Sequence, residues 1–391
     1  MKDRLGRLFQ RRERVPFGGN EVDGNRVTLL RDGEECFPRM LDSIANARRE
    51  VLLEMYWFDS DRTGQLFADA LIERAQNGVR VLVSYDAVGS IGTNLEMFDR
   101  MRAAGCDVRE FNPVAPWRAR FSLWLINRRD HRKILIVDNR IAFTGGVNIC
   151  DLWAPESQGG HAWRDEAVAV EGHIAERMRE TFMTVWRMHG GTVPRLPTRP
   201  PPRVGDTGAL SRVQILANRG LRDKRSIRRV YLEQIRKAKV SVYISNSYFL
   251  PDGVVRRALI MAARRGVDVR ILAAGKSDVM AVYYGTRNLY ASLLASGAHI
   301  YEWTRTVFHS KTAVIDGEWS TIGSYNLDHR SWRLNLELNL AITDKAVGQA
   351  MIARFHEDSA DAVRIDPIEW SARPLGTRIL ERFFYLFRKF L

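Results

Sequence analysis

The sequence predicts an α/β protein built from two duplicated α/β/α sandwich halves. The same polar motif occurs twice, with its two histidines, His131 and His309, 178 residues apart. Strands and helices alternate in the same order in both parts of the chain, and a proline-rich segment separates them. With 391 residues, 45% hydrophobic and 27% charged, the chain is long enough for two ordinary domains and has the composition of a folded protein.

The elements of each half follow from the spacing of apolar residues. Apolar runs rich in β-branched residues predict buried strands, apolar residues three or four apart predict helices, and Gly78 and Gly266 are typical helix ends. The first half is predicted to hold a strand at 51–58, a helix at 64–77, a strand at 79–85, a helix at 94–105 and a strand at 106–112. The second is predicted to hold a strand at 240–250, a helix at 254–265, a strand at 267–274, a helix at 288–297 and a strand at 298–303. The matching order indicates an internal duplication.

These patterns divide the chain into five parts. They are a basic N-terminal segment at 1–20, a first half at 21–189, a proline-rich linker at 190–206, a second half at 207–370 and an amphipathic C-terminal helix at 371–391. The linker holds five of the 13 prolines, so we expect it to be stiff and partly polyproline II. Two matching halves joined in this way predict a pseudo-twofold arrangement, in which both motifs face one shared site.

The repeated motif sets a histidine, a lysine and an aspartate ahead of a glycine and an asparagine. The first copy consists of His131, Lys133, Asp138, Gly145 and Asn148, and the second of His309, Lys311, Asp316, Gly323, Ser324 and Asn326. The apolar residues between lysine and aspartate predict a strand, on which side chains at i and i+2 point to the same face. The turn pairs Asp-Asn and Asp-Gly predict hairpins, and a helix after each asparagine is expected to offer free N–H groups to an anion.

This set of side chains suits a phosphate group. Two lysines, two asparagines (Asn148 and Asn326), Ser324 and backbone donors would surround it, and two histidines supply the nucleophile and general acid of phosphodiester transfer. The lysines offset the developing charge, so the chemistry is predicted to need neither metal nor cofactor. Asp138 and Asp316 are assigned to salt bridges at the turns. A lone histidine on a strand is more often a core residue, but a pattern repeated in a duplicated chain favours catalysis.

The pattern H-x-K-x4-D-x6-G-[GS]-x-N, present twice, resembles the signature of the phospholipase D superfamily, and the resemblance covers nearly the whole chain. The segments HRKILIVD and GSYNLDHRSWRLNLELNL are similar to bacterial cardiolipin synthases of the shorter type without N-terminal transmembrane helices. The resemblance implies the phospholipase D fold, metal-free chemistry and a phosphohistidine intermediate. It also implies His131 as the nucleophile and His309 as the acid.

The resemblance further implies an acidic residue after each motif that supports the histidine. Glu337 lies 28 residues past His309, and Asp165 lies 34 residues past His131. A carboxylate beside each imidazole would fix its tautomer and orientation. The first half departs from the family at Gly146, where many members have serine, and we expect the loss of one hydrogen-bond donor there.

Two segments raise the question of membrane contact. The first half is 14 residues longer than the second before its histidine, and this insertion carries Trp117, Phe121 and Trp124, as either an extra core helix or an amphipathic segment at the mouth of the site. Near the C-terminus, Phe383, Phe384 and Phe387 alternate with basic residues, which favours membrane contact over docking on the protein body. The basic segment at 1–20 is interpreted as a weaker anchor or a disordered tail.

The net charge and the cysteine content indicate which class of partner and which cellular compartment to expect. The 60 basic against 46 acidic residues give a net charge of +14, which favours a polyanion, either nucleic acid or an anionic membrane surface. Three cysteines without metal-ligand spacing suggest a reducing compartment, and neither a signal peptide nor a membrane-spanning run is visible. We therefore expect a peripheral protein on the cytoplasmic face of a bacterial inner membrane.

The function that these observations favour is cardiolipin synthesis. A phosphatidyl group would pass from one phosphatidylglycerol to histidine, with release of glycerol, and then to the glycerol hydroxyl of a second phosphatidylglycerol. A phospholipase D-type phosphodiesterase or a nuclease of the same superfamily is the alternative, but the apolar segments fit acyl chains better than nucleic acid, so no nucleic-acid partner is expected. A catalytically silent membrane-binding scaffold is disfavoured because both motifs are intact. The oligomeric state is left open.

Overall fold

The structure, a computed structural model, describes residues 22–118, 121–192, 210–218 and 226–389. The basic segment at 1–20 and most of the linker at 190–206 lie outside the described residues. The first half contains β1 (Val22–Arg31), α1 (Asp32–Ala45), β2 (Glu50–Met55), α2 (Arg62–Gln76), β3 (Arg80–Asp86), α3 (Leu95–Ala103), β4 (Asp107–Phe111), β5 (Ile134–Val137), β6 (Ile141–Gly145), β7 (Glu166–Glu171) and α4 (His173–Met188).

The second half repeats the order and adds elements at its end. It contains β8 (Ser211–Asn218), α5 (Ser226–Lys237), β9 (Ser241–Asn246), α6 (Gly253–Arg264), β10 (Asp268–Ala274), α7 (Met280–Leu294), β11 (His299–Trp303), β12 (Lys311–Ile315), β13 (Trp319–Gly323), α8 (His329–Arg333), β14 (Glu337–Thr343), α9 (Lys345–Ala360), β15 (Val363–Arg364), α10 (Pro367–Ser371) and α11 (Leu375–Leu386). All ten predicted elements are present. The helix predicted at 288–297 is longer than expected, because α7 already begins at Met280.

The strands of both halves join in one sheet. Outward from β1 the order is β7, β6, β5, β2, β3, β4, and outward from β8 it is β14, β13, β12, β9, β10, β11, with β15 at the edge. The two series match strand for strand, and β1 pairs with β8 antiparallel where the halves meet. The predicted duplicated α/β architecture is confirmed.

A shared core holds the halves together. Apolar residues of α4, including Met178 and Phe182, pack with strand residues of the first half such as Ile136 and of the second half such as Leu340. These four residues are at most 1% exposed. Because burial of apolar surface is roughly proportional to the area removed from water, this continuous cluster fixes the two halves relative to each other.

Buried ion pairs also connect the two halves. Arg164 lies at the end of the loop before β7. Its guanidinium is 2.7 Å from the Asp358 carboxylate on α9 and also contacts Glu166 and Asp32. Arg354 of α9 adds a second contact to Glu166, at 2.7 Å. A buried charge of this kind is tolerated only while it keeps its partners, so the cluster ties α9 to the first half.

One open alternative and one prediction are wrong. Of the two alternatives for the insertion, the extra core helix is excluded: its described residues form a single 3-10 turn, Leu123–Leu125, which contains no buried residue, and Trp117 and Trp124 are 84% and 91% exposed. The helices expected after the asparagines are also missing or short, since turns follow Asn148 and only the five-residue α8 follows Asn326. None of the described helices combines the length and the hydrophobicity that crossing a bilayer requires.

Candidate active site

The histidines of both motifs face a single cavity of about 480 Å³ between the halves. His131 lies just before β5 and His309 just before β12, the equivalent strands of the two halves. Both main chains pair with the opposite half, because the His131 amide donates to the Leu336 carbonyl at 3.0 Å and the His309 amide to the Arg164 carbonyl at 2.8 Å. These contacts place the two imidazoles on one cavity.

Each imidazole is held by a carboxylate from the other half. His131 Nδ1 lies 3.1 Å from Glu337 Oε2, and His309 Nδ1 lies 2.8 Å from Asp165 Oδ2. The resemblance had led us to expect each carboxylate to support the histidine of its own half, and this is wrong. The halves face each other, so β7 and β14 each begin beside the histidine of the opposite half. With Nδ1–H donated to a buried carboxylate, Nε2 of each ring keeps its lone pair for chemistry in the cavity.

The unequal lengths of Asp165 and Glu337 explain the departure at Gly146. A Cβ on Gly146 would lie 2.1 Å from Asp165 Oδ1, so the shorter carboxylate occupies the space that a serine side chain would need. Trp153 Nε1 donates to Asp165 Oδ2 at 2.9 Å and supplies the donor that we expected to be lost.

Ser324, the counterpart of Gly146, has a different role from the one predicted. Its hydroxyl donates to Glu337 Oε2, and the Leu338 amide donates to the hydroxyl oxygen at 3.1 Å. The residue is fully buried and does not line the cavity. The prediction of Ser324 as a phosphate ligand is therefore wrong: it positions the carboxylate that holds His131.

Both lysines are buried next to the histidines of their motifs and do not line the cavity. Lys133 Nζ donates to the His131 carbonyl at 2.6 Å and lies 5.0 Å from the centre of the Tyr56 ring. Lys311 Nζ donates to the His309 carbonyl and, at 3.2 Å, to Ser247 Oγ. Burial, together with the other lysine, lowers the pKa of Lys133 to about 7, and burial lowers the pKa of Lys311 to about 8.

The same environment keeps the imidazoles neutral. Burial and the Lys311 ammonium lower the pKa of His309 to about 4, and burial and Lys133 lower the pKa of His131. A bound phosphodiester adds a negative charge to the cavity, which favours protonation of the lysines and of one imidazole. The site is thus electrostatically suited to an anion and supplies a neutral nucleophile at ordinary pH.

The two asparagines present their amide nitrogens to the cavity. Asn148 Oδ1 accepts from the Trp57 amide at 3.1 Å, and Asn326 Oδ1 accepts from Ser247 Oγ at 3.0 Å. Both side chains line the cavity, and their Nδ2 groups have no protein acceptor among the described residues. Their geometry is consistent with the predicted phosphate contacts.

The aspartates of the motif lie away from this chemistry. Asp138 and Asp316 follow β5 and β12, at the strand ends opposite the histidines, and each has a positive φ of 54°. The predicted salt bridges are wrong, because the carboxylates accept hydrogen bonds from backbone amides at the start of the neighbouring strand instead. The donors are Arg48, Arg49 and Glu50 at the start of β2 and Lys239, Val240 and Ser241 at the start of β9. Both residues anchor their turns.

Aromatic residues around the histidines were missed by the sequence interpretation. The Tyr56 ring meets His131 edge-on at 4.9 Å, and the Trp153 ring meets His309 edge-on at 5.2 Å. Trp163 and Tyr248 complete the wall on the His309 side. Tyr56 and Tyr248 follow buried strands, where site residues of α/β sheets commonly lie, and that position could have identified them. The two tryptophans come from an irregular loop, which gives no such signal.

The predicted membrane-contact residues divide into two groups. Phe384 stacks on Tyr284 of α7, at 5.4 Å between ring centres, and Phe121 is half-buried. Phe383 and Phe387 are 51% and 45% exposed, as are most apolar residues of the same helix face. The C-terminal helix therefore docks on the body through one side, which had been the disfavoured alternative, and leaves its other side uncovered. It spans Leu375–Leu386, shorter than 371–391.

No cluster of three metal-ligating side chains occurs in the part of the chain that the structure describes. The cavity is lined by imidazoles, amides, aromatic rings, two arginines (Arg129 and Arg330) and two carboxylates (Asp278 and Asp328). The donors are suited to an anion rather than to a cation.

Comparisons with known proteins identify the family of this chain. The family model described as "Cardiolipin synthase, PLD-like domain" matches residues 40–186 and 231–359. The chain is 34% identical to a cardiolipin synthase of Geobacillus thermodenitrificans over 360 residues, which are 91% of this chain and 70% of that protein. It is 31% identical to the probable cardiolipin synthase YwiE of Bacillus subtilis over 99% of this chain and 76% of that protein. Its fold is similar to the crystal structure of phosphatidylserine synthase from Haemophilus influenzae, with a TM-score of 0.71, 14% identity and 99% of both chains covered.

Proposed function

The chain belongs to the phospholipase D-like cardiolipin synthase family, and from this premise we propose the reaction that its cavity performs on phosphatidylglycerol. The protein is a phosphatidyltransferase with the function of a cardiolipin synthase. The observation that carries the proposed mechanism is the pair of imidazoles on one cavity, each with Nδ1 held by a buried carboxylate. The roles of individual residues below are our proposal.

In the first step a neutral histidine attacks the phosphorus of phosphatidylglycerol through Nε2. The N–P bond forms, the P–O bond to the terminal glycerol breaks, and the opposite, protonated histidine gives its proton to the leaving oxygen. Asn148, Asn326 and the lysine ammonium groups of Lys133 and Lys311 stabilise the charge on the phosphoryl oxygens. Glycerol leaves, and the phosphatidyl group remains on histidine.

In the second step the free glycerol hydroxyl of another phosphatidylglycerol attacks the phosphohistidine. Its proton passes to the second histidine, which is now neutral, and the N–P bond breaks to give cardiolipin and the original enzyme. Other acceptors fit the same scheme: water gives phosphatidic acid, and free glycerol regenerates phosphatidylglycerol. The carboxylates of Asp165 and Glu337 keep both rings in the tautomer that each step requires.

The experiment is mass spectrometry of lipids after incubating the protein with phosphatidylglycerol vesicles in EDTA. We expect cardiolipin and glycerol to appear, and His131→Ala or His309→Ala to abolish both. Substituting each histidine in turn and acid-quenching the reaction identifies which ring carries the phosphatidyl group. Turnover that persists in either variant would contradict the paired-histidine mechanism. Cleavage of a plasmid with no lipid turnover would favour the nuclease alternative.

We also propose that the rim of the cavity contacts an anionic membrane surface, on the cytoplasmic face of the bacterial membrane. The exposed side of α11 holds Phe383 and Phe387, and α11 packs on α7, whose first turn lines the cavity through Val282. Exposed Trp124 lies in the insertion that leads to cavity-lining Arg129. Apolar side chains beside basic residues are typical of interfacial segments.

Flotation with phosphatidylglycerol vesicles tests this contact. Phe383→Ser combined with Phe387→Ser should reduce the bound fraction without unfolding the protein, because neither ring is buried. Val240→Ser is the matched control. Val240 is 67% exposed but lies just before β9, at the end of the strand that points away from the cavity. Equal flotation of the wild type, the double variant and the control would show that α11 is not the contact.

A further inference from the structure

We infer that Arg330, Ser331 and Asn335 form a second anion subsite inside the cavity, which binds the phosphate of the acceptor lipid. This inference rests on the proposed function, because a cardiolipin synthase must hold two phosphodiesters at once: one reacts and the other is carried by the acceptor. A three-carbon glycerol spacer separates the acceptor's phosphate from its attacking hydroxyl. The subsite is therefore distinct from the position of the reacting phosphorus.

The arginines that line the cavity differ in their partners. Arg129 is used by the protein: its guanidinium donates to the Asn112 and Leu125 carbonyls, at 3.0 and 2.9 Å, and lies 3.4 Å from Asp86. Arg330 has neither a side-chain hydrogen bond nor a carboxylate within 4.0 Å among the described residues. Guanidinium is the side chain best matched to a phosphodiester, because it donates two parallel hydrogen bonds.

Two neighbours of Arg330 carry polar atoms without a partner. Ser331 is 1% exposed and lines the cavity. Its Oγ makes no hydrogen bond of normal geometry among the described residues, although it lies near enough to the Asp328 carboxylate to act on the pKa of that group. Asn335 also lines the cavity and leaves Oδ1 unpaired, while its Nδ2 lies 3.4 Å from Glu337. Buried polar atoms are rarely left unpaired in proteins, so an unpaired hydroxyl and an amide oxygen beside a free guanidinium indicate a ligand. Together they offer a cation for a phosphate and hydrogen bonds for glycerol oxygens.

The duplication shows that these residues are a departure from symmetry. At the motif offset of 178 residues, Arg330 and Ser331 correspond to Leu152 and Trp153. Asn335 corresponds to Trp163 by a different criterion, because each lies two residues before the carboxylate of its half. One copy of the loop thus gives the cavity an aromatic wall and the other gives it a cationic and polar wall. A site that binds two different lipid groups needs such a difference, whereas a hydrolase acting on one phosphodiester does not.

The two carboxylates that line the cavity, Asp278 and Asp328, form no ion pair with the Arg330 guanidinium among the described residues. Asp278 accepts from the Tyr248 hydroxyl at 2.7 Å. Asp328 lies close in the chain, but its Oδ1 accepts from the Ser331 amide at 2.7 Å, and burial raises its pKa to about 7, so it carries little charge below neutral pH. Three further basic residues, Arg333, Arg388 and Lys389, act on His329 and add positive potential beside α8. The potential favours an anionic acceptor over a neutral one.

The test compares two acceptors that share one donor. Vesicles of phosphatidylglycerol are supplied with labelled glycerol, and initial rates are measured for cardiolipin formation and for incorporation of label into phosphatidylglycerol. Both products require the same phosphohistidine, but only the lipid acceptor carries a phosphate. Arg330→Gln should therefore lower the ratio of cardiolipin to labelled phosphatidylglycerol by about 10- to 100-fold, the range expected for a lost charge-assisted hydrogen-bonded contact.

Two further variants sharpen the result. Arg333→Gln is the matched control: it removes a guanidinium from the same short helix, but Arg333 is exposed and does not line the cavity. Arg330→Lys keeps the charge without the planar fork and should give an intermediate ratio. An Arg330→Gln ratio equal to that of the wild type overturns the inference, whether both rates fall together or neither changes. A wild type that exchanges glycerol but forms no cardiolipin would refute the proposed function instead.

Discussion

Replacing Gly146 by alanine tests whether the orientation of His309 by Asp165 limits catalysis. The new Cβ would stand 2.1 Å from Asp165 Oδ1 and 2.5 Å from Oδ2. Ordinary van der Waals contact begins near 3.4 Å, so the carboxylate must retreat by about 1.3 Å, the difference between 3.4 and 2.1 Å. A displacement of that size breaks the 2.8 Å contact with His309 Nδ1.

The lost contact sets the size of the effect. A hydrogen bond to a charged group contributes about 1.5–3 kcal/mol, which corresponds to roughly 10- to 150-fold in rate if it acts on the transition state. We expect the initial rate of cardiolipin formation from phosphatidylglycerol vesicles to fall within that range. Gly253→Ala is the control, because a Cβ at Gly253 meets no atom within 4 Å.

A compensating change makes the reasoning more specific. The second half uses serine with glutamate, so Gly146→Ser combined with Asp165→Glu copies its arrangement and should recover activity relative to either single variant. Thermal unfolding distinguishes a misplaced ring from a misfolded chain. Gly146→Ala with wild-type turnover would refute the argument, since it would mean that His309 does not depend on the position of Asp165.

Three further predictions follow from the site and its supports. The pKa values of Lys133 and Lys311 are lowered to about 7 and about 8, so the free enzyme loses these ammonium charges as the pH rises through that interval. We therefore expect kcat/KM to fall there, and a pH profile that stays flat to alkaline pH would contradict this. Asp138→Ala removes three backbone hydrogen bonds and should lower the free energy of unfolding by about 2–4 kcal/mol while the folded enzyme keeps its KM. A specific loss of kcat would instead show that the residue takes part in catalysis. Arg164→Met removes the buried guanidinium that contacts Asp32, Glu166 and Asp358, of which Asp358 keeps Arg31 at 2.7 Å. The variant should destabilise the protein by about 3–5 kcal/mol in denaturant titrations, whereas an unchanged midpoint would show that the cluster adds nothing.

The duplicated motif was the most informative part of the sequence. Identical spacing of His131 and Lys133 with His309 and Lys311 predicted two equivalent strands, and the structure has them as β5 and β12 at matching places in one sheet. Local apolar patterns also gave all ten predicted elements, because the alternation that defines a strand or a helix is written in neighbouring residues.

Roles that depend on contacts across the molecule were harder to predict. Nothing in the spacing of Ser324 distinguishes a phosphate ligand from a residue that holds Glu337, because the two roles differ only in which way the buried hydroxyl points. Asp138 likewise appears beside the lysine in the motif, yet the extended strand carries it about 16 Å away, at roughly 3.3 Å per residue. The linear motif contains residues that act in the cavity and residues that only support the fold, and spacing alone does not distinguish the two.

The sequence by itself determined the chemistry: two imidazoles and two ammonium groups, repeated at constant offset, in a chain whose halves fold alike. Only the tertiary structure decided which carboxylate serves which histidine, because that pairing crosses between halves and depends on how β1 and β8 join the sheet. The asymmetry of the cavity was decided in the same way. Loops of different length and composition bring Trp163 to one side and Asn335 to the other, where packing rather than local pattern fixes what each side chain meets.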